Sequence, residues 1–304
     1  MLTPLRRGRR TLLLAVMLLC AARLYAAPEK FELVVDGGRV ETELLSGPLT
    51  VSRDELRDWI EAAANAVSRY YGRFPVNQIR LRLVPDKGKS IHGTTWGGAT
   101  PFIRVLMGDG VTSEELGADW RLTHEMVHLA FPQVDERHAW IEEGLATYVE
   151  PIARAQIGTL TSEEVWGRFV EGMPNGVIVG TDAGLDDRTG WGRTYWGGAL
   201  FCLLADVAIR ERTKQRFGLA DALAGVLKAG GNIREAWSLG RILAEADKAV
   251  EVDVLSTLYA QMGLKHLPID LDQLWLDLGV QSSEGRLEFD DVASKAAIRQ
   301  AITR

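Results

Sequence analysis

The sequence predicts an α+β protein with an N-terminal lobe of mixed sheet and helix, a mainly helical C-terminal lobe and a cleft between them. Apolar and polar residues alternate along residues 31–45, as they do in half-buried strands. From Ser113 onward, almost every apolar pattern instead has the period of a helix. A chain of 304 residues is long enough for two lobes that share a cleft. We therefore expect the mixed lobe over residues 27–155 and the helical lobe over residues 156–304.

Residues 1–26 have the layout of a secretory signal peptide. They contain five arginines and no acidic residue, and a twelve-residue apolar run, TLLLAVMLLCAA, leads into ARLYAA, whose small residues suit cleavage. The apolar run is shorter than the ~20 residues that a membrane-spanning helix needs, although an uncleaved anchor is the alternative. We expect a periplasmic or secreted protein with no stable membrane insertion after signal cleavage.

Short-range signals predict the elements of the mixed lobe in order. The Asp-Gly-Gly at residues 36–38 interrupts the alternating pattern as a hairpin turn does. The next stretch reads as a helix in which Ser52 is the N-cap and Glu55 completes a capping box. Short strands are predicted at residues 78–84 and 101–107.

Two helices are predicted after these strands. The first runs from about Ser113 to Ala130, and Pro132 stops it. Asp135 is the predicted N-cap of the second helix, which contains WIEEGLATYVE. Near the C-terminus, LDLGVQSSEGRLEFDD predicts a short strand and ASKAAIRQAI predicts a closing helix.

Charge and cysteine content exclude some classes of function. The chain is 46% hydrophobic and 25% charged, which is typical of a soluble globular protein. Its net charge is −6, and removal of the five arginines in residues 1–26 leaves −11. No basic run remains to neutralise phosphates, so nucleic acid is not an expected partner. Outside residues 1–26 only Cys202 remains, and its LFCLLAD setting indicates packing rather than nucleophilic chemistry.

The segment HEMVH has the spacing of a zinc site. His124 and His128 are four residues apart, so both imidazoles project from one helix face and can reach one Zn²⁺ at ~2.1 Å. Glu125 is rotated by one residue, which places it to act as general base toward a water rather than as a ligand. The alternative is that two histidines share one face of a buried helix by chance.

The second helix favours the zinc interpretation. It contains a glutamate beside a glycine. Glu143 supplies a third, anionic ligand, and Gly144 lets the helix backbone lie close to a neighbour. The metzincin pattern does not fit, because Phe131 stands where its glycine belongs and Val134 where its third histidine belongs.

HEMVH followed by WIEEGLATYVE resembles the gluzincins, the thermolysin-like clan of zinc metallopeptidases. The resemblance is closest to the zinc aminopeptidases and to small exported peptidase MA-like domains. It implies a thermolysin-like fold with one Zn²⁺ per chain, and it selects Glu143 over Glu142 as the third ligand beside His124 and His128. It also implies that Thr147 and Glu150, on the Glu143 face of the helix, hydrogen-bond the ligands. The alternative is that both are ordinary surface residues of the helix.

A third segment, RTYWGGALFCLLADVAIRER, resembles the family's Y-x-K-G-A helix. The resemblance implies that the Tyr195 hydroxyl stabilises the oxyanion formed during catalysis. Gly197 replaces the family's lysine in this sequence. The alternative is that Tyr195 packs against Trp191 and Trp196. In total the resemblance covers roughly residues 90–212.

The resemblance also bears on how a peptide binds. In the aminopeptidases a strand with a Gly-x-Met-Glu-Asn or similar motif lines the cleft, and its glutamate pairs with the free α-amine of the substrate. The corresponding stretch here is taken to be Trp96 to Thr100, in which Gly97 and Gly98 let the substrate backbone approach. Because this stretch contains no acidic residue, an endopeptidase is expected rather than an aminopeptidase.

These observations predict an exported zinc metallopeptidase that cuts peptide or protein substrates by means of a zinc-activated water, with Glu125 as general base. Two alternatives remain. One is a non-catalytic zinc- or peptide-binding envelope protein that keeps the peptidase fold. The other is hydrolysis of a different amide, such as a cell-wall peptide, at the same site. Glu125 favours an enzyme, since a purely structural zinc needs no base beside it.

Overall fold

A computed structural model describes residues 27–177, 183–187, 190–283 and 286–304. The expected signal peptide, residues 1–26, lies outside the described residues. The described chain begins with the expected hairpin, in which β1 (Glu29–Val35) pairs antiparallel with β2 (Gly38–Leu44). Asp36 and Gly37 have φ values of 43° and 80°, which is the left-handed geometry of a two-residue hairpin turn. The hairpin prediction is therefore confirmed.

The helix α1 (Arg53–Tyr71) covers one face of the sheet. The Ser52 side chain accepts a hydrogen bond from the Glu55 backbone, and the Glu55 carboxylate accepts one from the Ser52 backbone, so the predicted capping box is present. Buried apolar residues of the helix, such as Ile60 and Val67, pack into the continuous core that also includes the inward side chains of the sheet.

The N-terminal lobe is built on a five-stranded mixed sheet, whose further strands are β3 (Gln78–Asp86), β4 (Ile91–Trp96) and β5 (Phe102–Gly108). The strand order is β1-β2-β3-β5-β4. The parallel pairs are β2 with β3 and β3 with β5, while β4 runs antiparallel to β5 at the sheet edge. β4 was not predicted, because IHGTTW has few of the apolar residues that mark a strand.

The predicted continuous helix from Ser113 to Ala130 is wrong, because it is broken at Asp119. It consists of α2 (Ser113–Ala118), α3 (Arg121–Val127) and a 3-10 turn, His128–Ala130. Asp119 is extended, with ψ of 135°, and its carboxylate accepts a hydrogen bond from the Arg121 backbone at 3.0 Å. A short acidic side chain that bonds the backbone in this way competes with the helix ladder and starts a new helix.

The second predicted helix is α4 (Ala139–Gln156), which a 3-10 turn, Glu136–His138, precedes. Asp135 is the residue before that turn, but its side chain makes no capping hydrogen bond, so the predicted capping contact is absent. The helix ends at Gln156, beside the predicted lobe division after residue 155, and packs against both α1 and later helices.

The remainder of the chain is mainly helical, as expected. The predicted strand near the C-terminus is one half of a small hairpin, and the closing helix is present. No helix among the described residues is long and apolar enough to cross a membrane. The elements are α5 (Ser162–Gly172), α6 (Gly198–Thr213), α7 (Leu219–Lys228), α8 (Leu239–Val250), α9 (Val254–Leu258), α10 (Leu271–Leu278), β6 (Val280–Ser283), β7 (Arg286–Phe289) and α11 (Ala296–Ile302).

Two glycines bring α4 and α6 into direct backbone contact. A Cβ atom on Gly144 would lie 2.3 Å from the Gly198 backbone, and a Cβ on Gly198 would lie 2.0 Å from the Trp140 carbonyl oxygen. Neither position has room for a methyl group, so the crossing requires glycine on both helices. Cys202, one turn further along α6, is buried in the core as its sequence setting predicted.

We expect Gly144→Ala to lower the free energy of unfolding by about 1–3 kcal/mol, because the added methyl group must push the two helix backbones apart. Gly167→Ala is the matched control, since Gly167 is also inside a helix and a Cβ there would meet nothing within 4 Å. That control should stabilise the protein by up to ~1 kcal/mol through helix propensity alone. Urea denaturation of both variants measures the difference, and equal effects would refute a tight crossing.

Candidate metal centre

Three of the predicted site residues converge between α3 and α4. The Glu143 Oε2 atom lies 3.2 Å from His124 Nε2 and 3.7 Å from His128 Nε2. Each of the three residues offers one candidate ligand atom, and these three atoms lie within 4.8 Å of one another. The two histidines come from adjacent turns on one face of the segment that starts at α3, and Glu143 comes from the first half of α4.

These distances suit a single zinc ion. Tetrahedral coordination with bonds of ~2.1 Å separates ligand atoms by about 3.4 Å, which is close to both measured separations. Burial, followed by the neighbouring His124, lowers the pKa of His128, so its imidazole is neutral and has a lone pair to offer. Burial by itself raises the pKa of Glu143. The hydrogen bond to His124 and the charges of the nearby histidines have the larger effect, so the pKa of Glu143 is lowered. Neutral imidazoles and an ionised carboxylate are the donor set that zinc requires.

Glu125 is held apart from this cluster by the edge strand. Its Oε2 atom accepts a hydrogen bond from the Thr95 hydroxyl at 2.5 Å. Gly93, on the same face of β4, leaves room for the carboxylate, because a Cβ there would lie 2.4 Å from Glu125 Cγ. Burial, opposed by His128, raises the pKa of Glu125. Gly93 and Thr95 were not predicted as site residues. The one sequence pattern that could have indicated them is the alternate spacing of two small residues in IHGTTW.

The structure corrects the assignment of Gly97 and Gly98 to a substrate-binding strand. β4 ends at Trp96, and both glycines lie in the turn that leads to β5. Gly97 packs against the Ile233 carbonyl, and Gly98 has a φ of 114° that a strand does not allow. The part of the chain beside Glu125 is therefore the strand that precedes these glycines.

Tyr195 lies over the candidate ligands. It belongs to a π-helical turn, Arg193–Gly197, that leads directly into α6. Its ring is stacked 6.2 Å from the His124 ring and 5.6 Å from the Trp191 ring, and its hydroxyl hydrogen-bonds the Glu143 carboxylate. Burial and the adjacent Glu143 raise the pKa of Tyr195 to about 12, so the hydroxyl stays protonated as a donor. Tyr195 thus contacts Trp191, as the packing alternative expected, and also reaches the site.

Among the described residues, neither Thr147 nor Glu150 hydrogen-bonds a ligand side chain, although Thr147 does bond the backbone of Glu143. The Thr147 hydroxyl donates to the Glu143 backbone carbonyl at 2.8 Å, as a threonine four residues along a helix commonly does. Glu150 lies seven residues from Glu143, which is roughly 10 Å along the helix axis. It is buried and paired instead with Arg154 and Arg168. His124 Nδ1 is buried and finds no hydrogen-bond partner among the described residues.

A second polar cluster supports the start of α4. Asp186 accepts hydrogen bonds from Trp140 Nε1 at 2.8 Å and from the Tyr259 hydroxyl at 2.7 Å. His138 Nδ1 lies 2.7 Å from the same carboxylate, and Arg137 donates to His138 Nε2. Nε2 is therefore the acceptor and Nδ1 the donor toward Asp186. No local sequence pattern predicts this network, because its members are far apart along the chain.

No family model matches the chain, and no curated protein is detectably similar to it in sequence. Several solved structures share its fold. An aminopeptidase N family protein from Idiomarina loihiensis matches with a TM-score of 0.64 and 12% identity, over 84% of this chain and 49% of that chain. An M1 zinc metallopeptidase from Deinococcus radiodurans matches with a TM-score of 0.51 and 15% identity, over 80% of this chain and 53% of that one.

A third structure, aminopeptidase A of Legionella pneumophila in complex with aspartic acid, has a TM-score of 0.52 and 14% identity, over 76% of this chain and 27% of that chain. This chain thus spans about half the length of the first two structures and about a quarter of the third. The predicted α+β class and the gluzincin-like architecture are confirmed: the chain has the fold of the M1 zinc metallopeptidases, with a His-His-Glu cluster at its candidate metal centre.

Proposed function

We propose that this chain is a zinc-dependent metallopeptidase that hydrolyses peptide bonds. The observation that carries the proposal is that two glutamates occupy different positions at the site. Glu143 joins His124 and His128 in the candidate metal cluster, while Glu125, on the same helix as His124, is seated separately by Thr95. A structural zinc needs no buried carboxylate beside its ligands, so this arrangement favours an enzyme over a non-catalytic binding protein.

When bound, zinc supplies Lewis-acid polarisation of the carbonyl and lowers the pKa of its water toward ~7. Glu125 takes a proton from the attacking water and passes it to the leaving amine. Its raised pKa makes it a better proton acceptor than an exposed carboxylate. Tyr195, which stays protonated, donates a hydrogen bond to the developing oxyanion. The free edge of β4, next to Glu125, lets an extended peptide backbone align with the sheet.

A peptide substrate has support from one neighbour in fold. An E323A variant of the Deinococcus radiodurans enzyme is described as bound to the substrate Tyr-Ser-Ala. For this chain we also propose action outside the cytoplasm, in the periplasm or after secretion, because residues 1–26 have the composition of a signal peptide.

The purified protein should bind about one zinc ion per chain, and His128→Ala should abolish that binding and lower stability, since metal binding is coupled to folding. His92→Ala is the matched control, because His92 is exposed on the opposite face of β4 from Thr95. Metal analysis by mass spectrometry measures the stoichiometry. A protein stripped of metal that remains folded and fully active would refute a zinc enzyme.

Substitution of the glutamates separates the base from the ligand. Glu125→Gln should keep zinc and lower kcat by about 10²–10⁴-fold, because only the proton acceptor is lost. Glu143→Gln should instead lower zinc affinity by ~10-fold or more. Glu142→Gln should change neither, and it tests whether the choice between the two adjacent glutamates is right. Zinc titration and peptide cleavage kinetics measure the three variants, and exchanged behaviour of Glu125 and Glu143 would reverse the assignment.

Tyr195→Phe should lower kcat by roughly 10²-fold with little change in zinc content or melting temperature, because one oxyanion donor is removed. Tyr259→Phe is the control. It also removes one hydroxyl, but that hydroxyl bonds Asp186, so the expected loss is in stability rather than in kcat. An unaltered kcat in Tyr195→Phe would mean that Tyr195 only packs against its aromatic neighbours.

The remaining question is whether the substrate needs a free N-terminus. Two of the neighbours in fold are named aminopeptidases, which favours such a requirement. Against this, β4 contains no acidic residue that could pair with an α-amine, and an unpaired ammonium in a partly dry cleft is costly. We therefore propose that the enzyme tolerates a blocked N-terminus.

Matched peptides with free and acetylated N-termini test this proposal. Similar kcat/KM values are expected for the two, because β4 offers the amine no anionic partner. A strict preference for the free amine, measured by cleavage kinetics, would establish an aminopeptidase instead.

A further inference from the structure

A pocket of about 490 Å³ opens directly beside the candidate metal centre. His124 and Thr147 form the wall nearest the site, and Phe169 and Gly172 of α5 lie on its far side. A pocket of this size and mainly apolar lining is typical of a small-molecule or side-chain binding site. Its aromatic residues are Trp120, Phe169, Trp191, Tyr195 and Trp196.

Two of these tryptophans are exposed, and each contacts a residue of the site. The Trp120 side chain is 38% exposed and meets the His124 ring edge-on at 5.4 Å. The Trp191 side chain is 64% exposed and stacks on Tyr195 at 5.6 Å. The Arg121 guanidinium lies over the Trp120 ring at 5.1 Å, but both indoles keep exposed surface in the lining of the pocket, where a ligand can contact it.

The third tryptophan gives the pocket a rigid wall. Trp196 packs on Gly172, where a Cβ atom would lie 2.1 Å from its ring. The glycine therefore lets the indole lie flat against α5 and keeps the space in front of it open. A flat aromatic surface of this kind favours another ring in stacked or edge-on contact.

One buried charge in the pocket wall is compensated within the protein. Glu150 accepts hydrogen bonds from Arg154 at 3.1 Å and from Arg168 at 3.5 Å. It therefore offers a charged ligand side chain no unpaired partner, and the other acidic lining residue, Glu171, is exposed to solvent. An uncharged aromatic group needs no charged partner.

We propose that this pocket selects substrates with a large aromatic side chain on the residue next to the bond that is cut. The proposal rests on the peptidase function proposed above and adds the class of substrate. Trp120 and Trp191 are then specificity-determining residues, because both line the pocket beside His124 and Tyr195 and offer exposed aromatic surface to the incoming ring. A substrate with alanine at that position gains nothing from this surface, and a lysine loses hydration of its ammonium on entering the pocket.

The test measures binding without turnover. The zinc-loaded Glu125→Gln protein is titrated by calorimetry with peptides Ala-Ala-X-Ala-Ala, in which X is phenylalanine, alanine or lysine. Phenylalanine should bind ~10-fold more tightly than either other residue, which corresponds to about 1.4 kcal/mol. Trp120→Ala and Trp191→Ala, each added to that protein, should reduce this preference severalfold. Both side chains are partly exposed, so the variants are expected to remain folded.

Trp96→Ala is the matched control, because the Trp96 side chain is 41% exposed but stacks on Phe102 away from the pocket. The preference for phenylalanine should survive in this variant. Equal affinities for the three peptides, no binding of any of them, or a preference that neither pocket tryptophan affects would overturn the proposal. Failure of the proposed peptidase function would give a different result from failure of the pocket proposal. The protein would bind the phenylalanine peptide selectively, but the unsubstituted protein would not cleave it.

Discussion

The close contact between Gly144 and Gly198 is the constraint on which the candidate site depends. Because no side chain separates α4 from α6, the residue before Gly144 and the turn before Gly198 are brought to the same place. That residue is Glu143, and that turn contains Tyr195. A single helix crossing therefore sets the positions of both the Glu143 carboxylate and the Tyr195 hydroxyl that hydrogen-bonds it. A larger residue on either helix would displace both groups together.

The position of Glu125, the proposed base, depends on a different part of the fold. Successive helix residues are rotated by about 100°, so the Glu125 side chain points in a different direction from His124 and faces the edge strand, β4. There Thr95 donates to its carboxylate and Gly93 makes room for it. The two glutamates consequently have opposite electrostatic settings: burial raises the pKa of Glu125, whereas hydrogen bonding and nearby histidines lower that of Glu143 against its burial. Two residues of one type thus differ in proton affinity because of their surroundings, which is the difference that the two proposed roles require.

The sequence predicted those features whose signals lie within a few residues of one another. The hairpin turn at residues 36–38 and the Ser52 capping box are local, and the spacing of His124 and His128 follows from helix geometry alone. The features it missed depend on tertiary contacts. β4 is a strand because β5 pairs with it, although its own residues have weak strand character. The hydrogen-bond partner of Thr147 could not be predicted from its helix face, since the Glu143 backbone carbonyl, one turn earlier, accepts from the hydroxyl.

The C-terminal half of the chain supports the site without supplying a candidate ligand. Tyr259 and Trp140 both donate to Asp186, which fixes the start of α4 against the turn that holds Tyr259. A side chain at the position of Gly198 would clash with the backbone carbonyl of the same Trp140. The polar network and the glycine crossing therefore act on one turn of helix, just before Glu143. A site assembled from two short motifs thus requires Asp186, Gly198 and Tyr259, which lie well beyond both motifs along the chain, and this explains why the motifs alone do not specify its geometry.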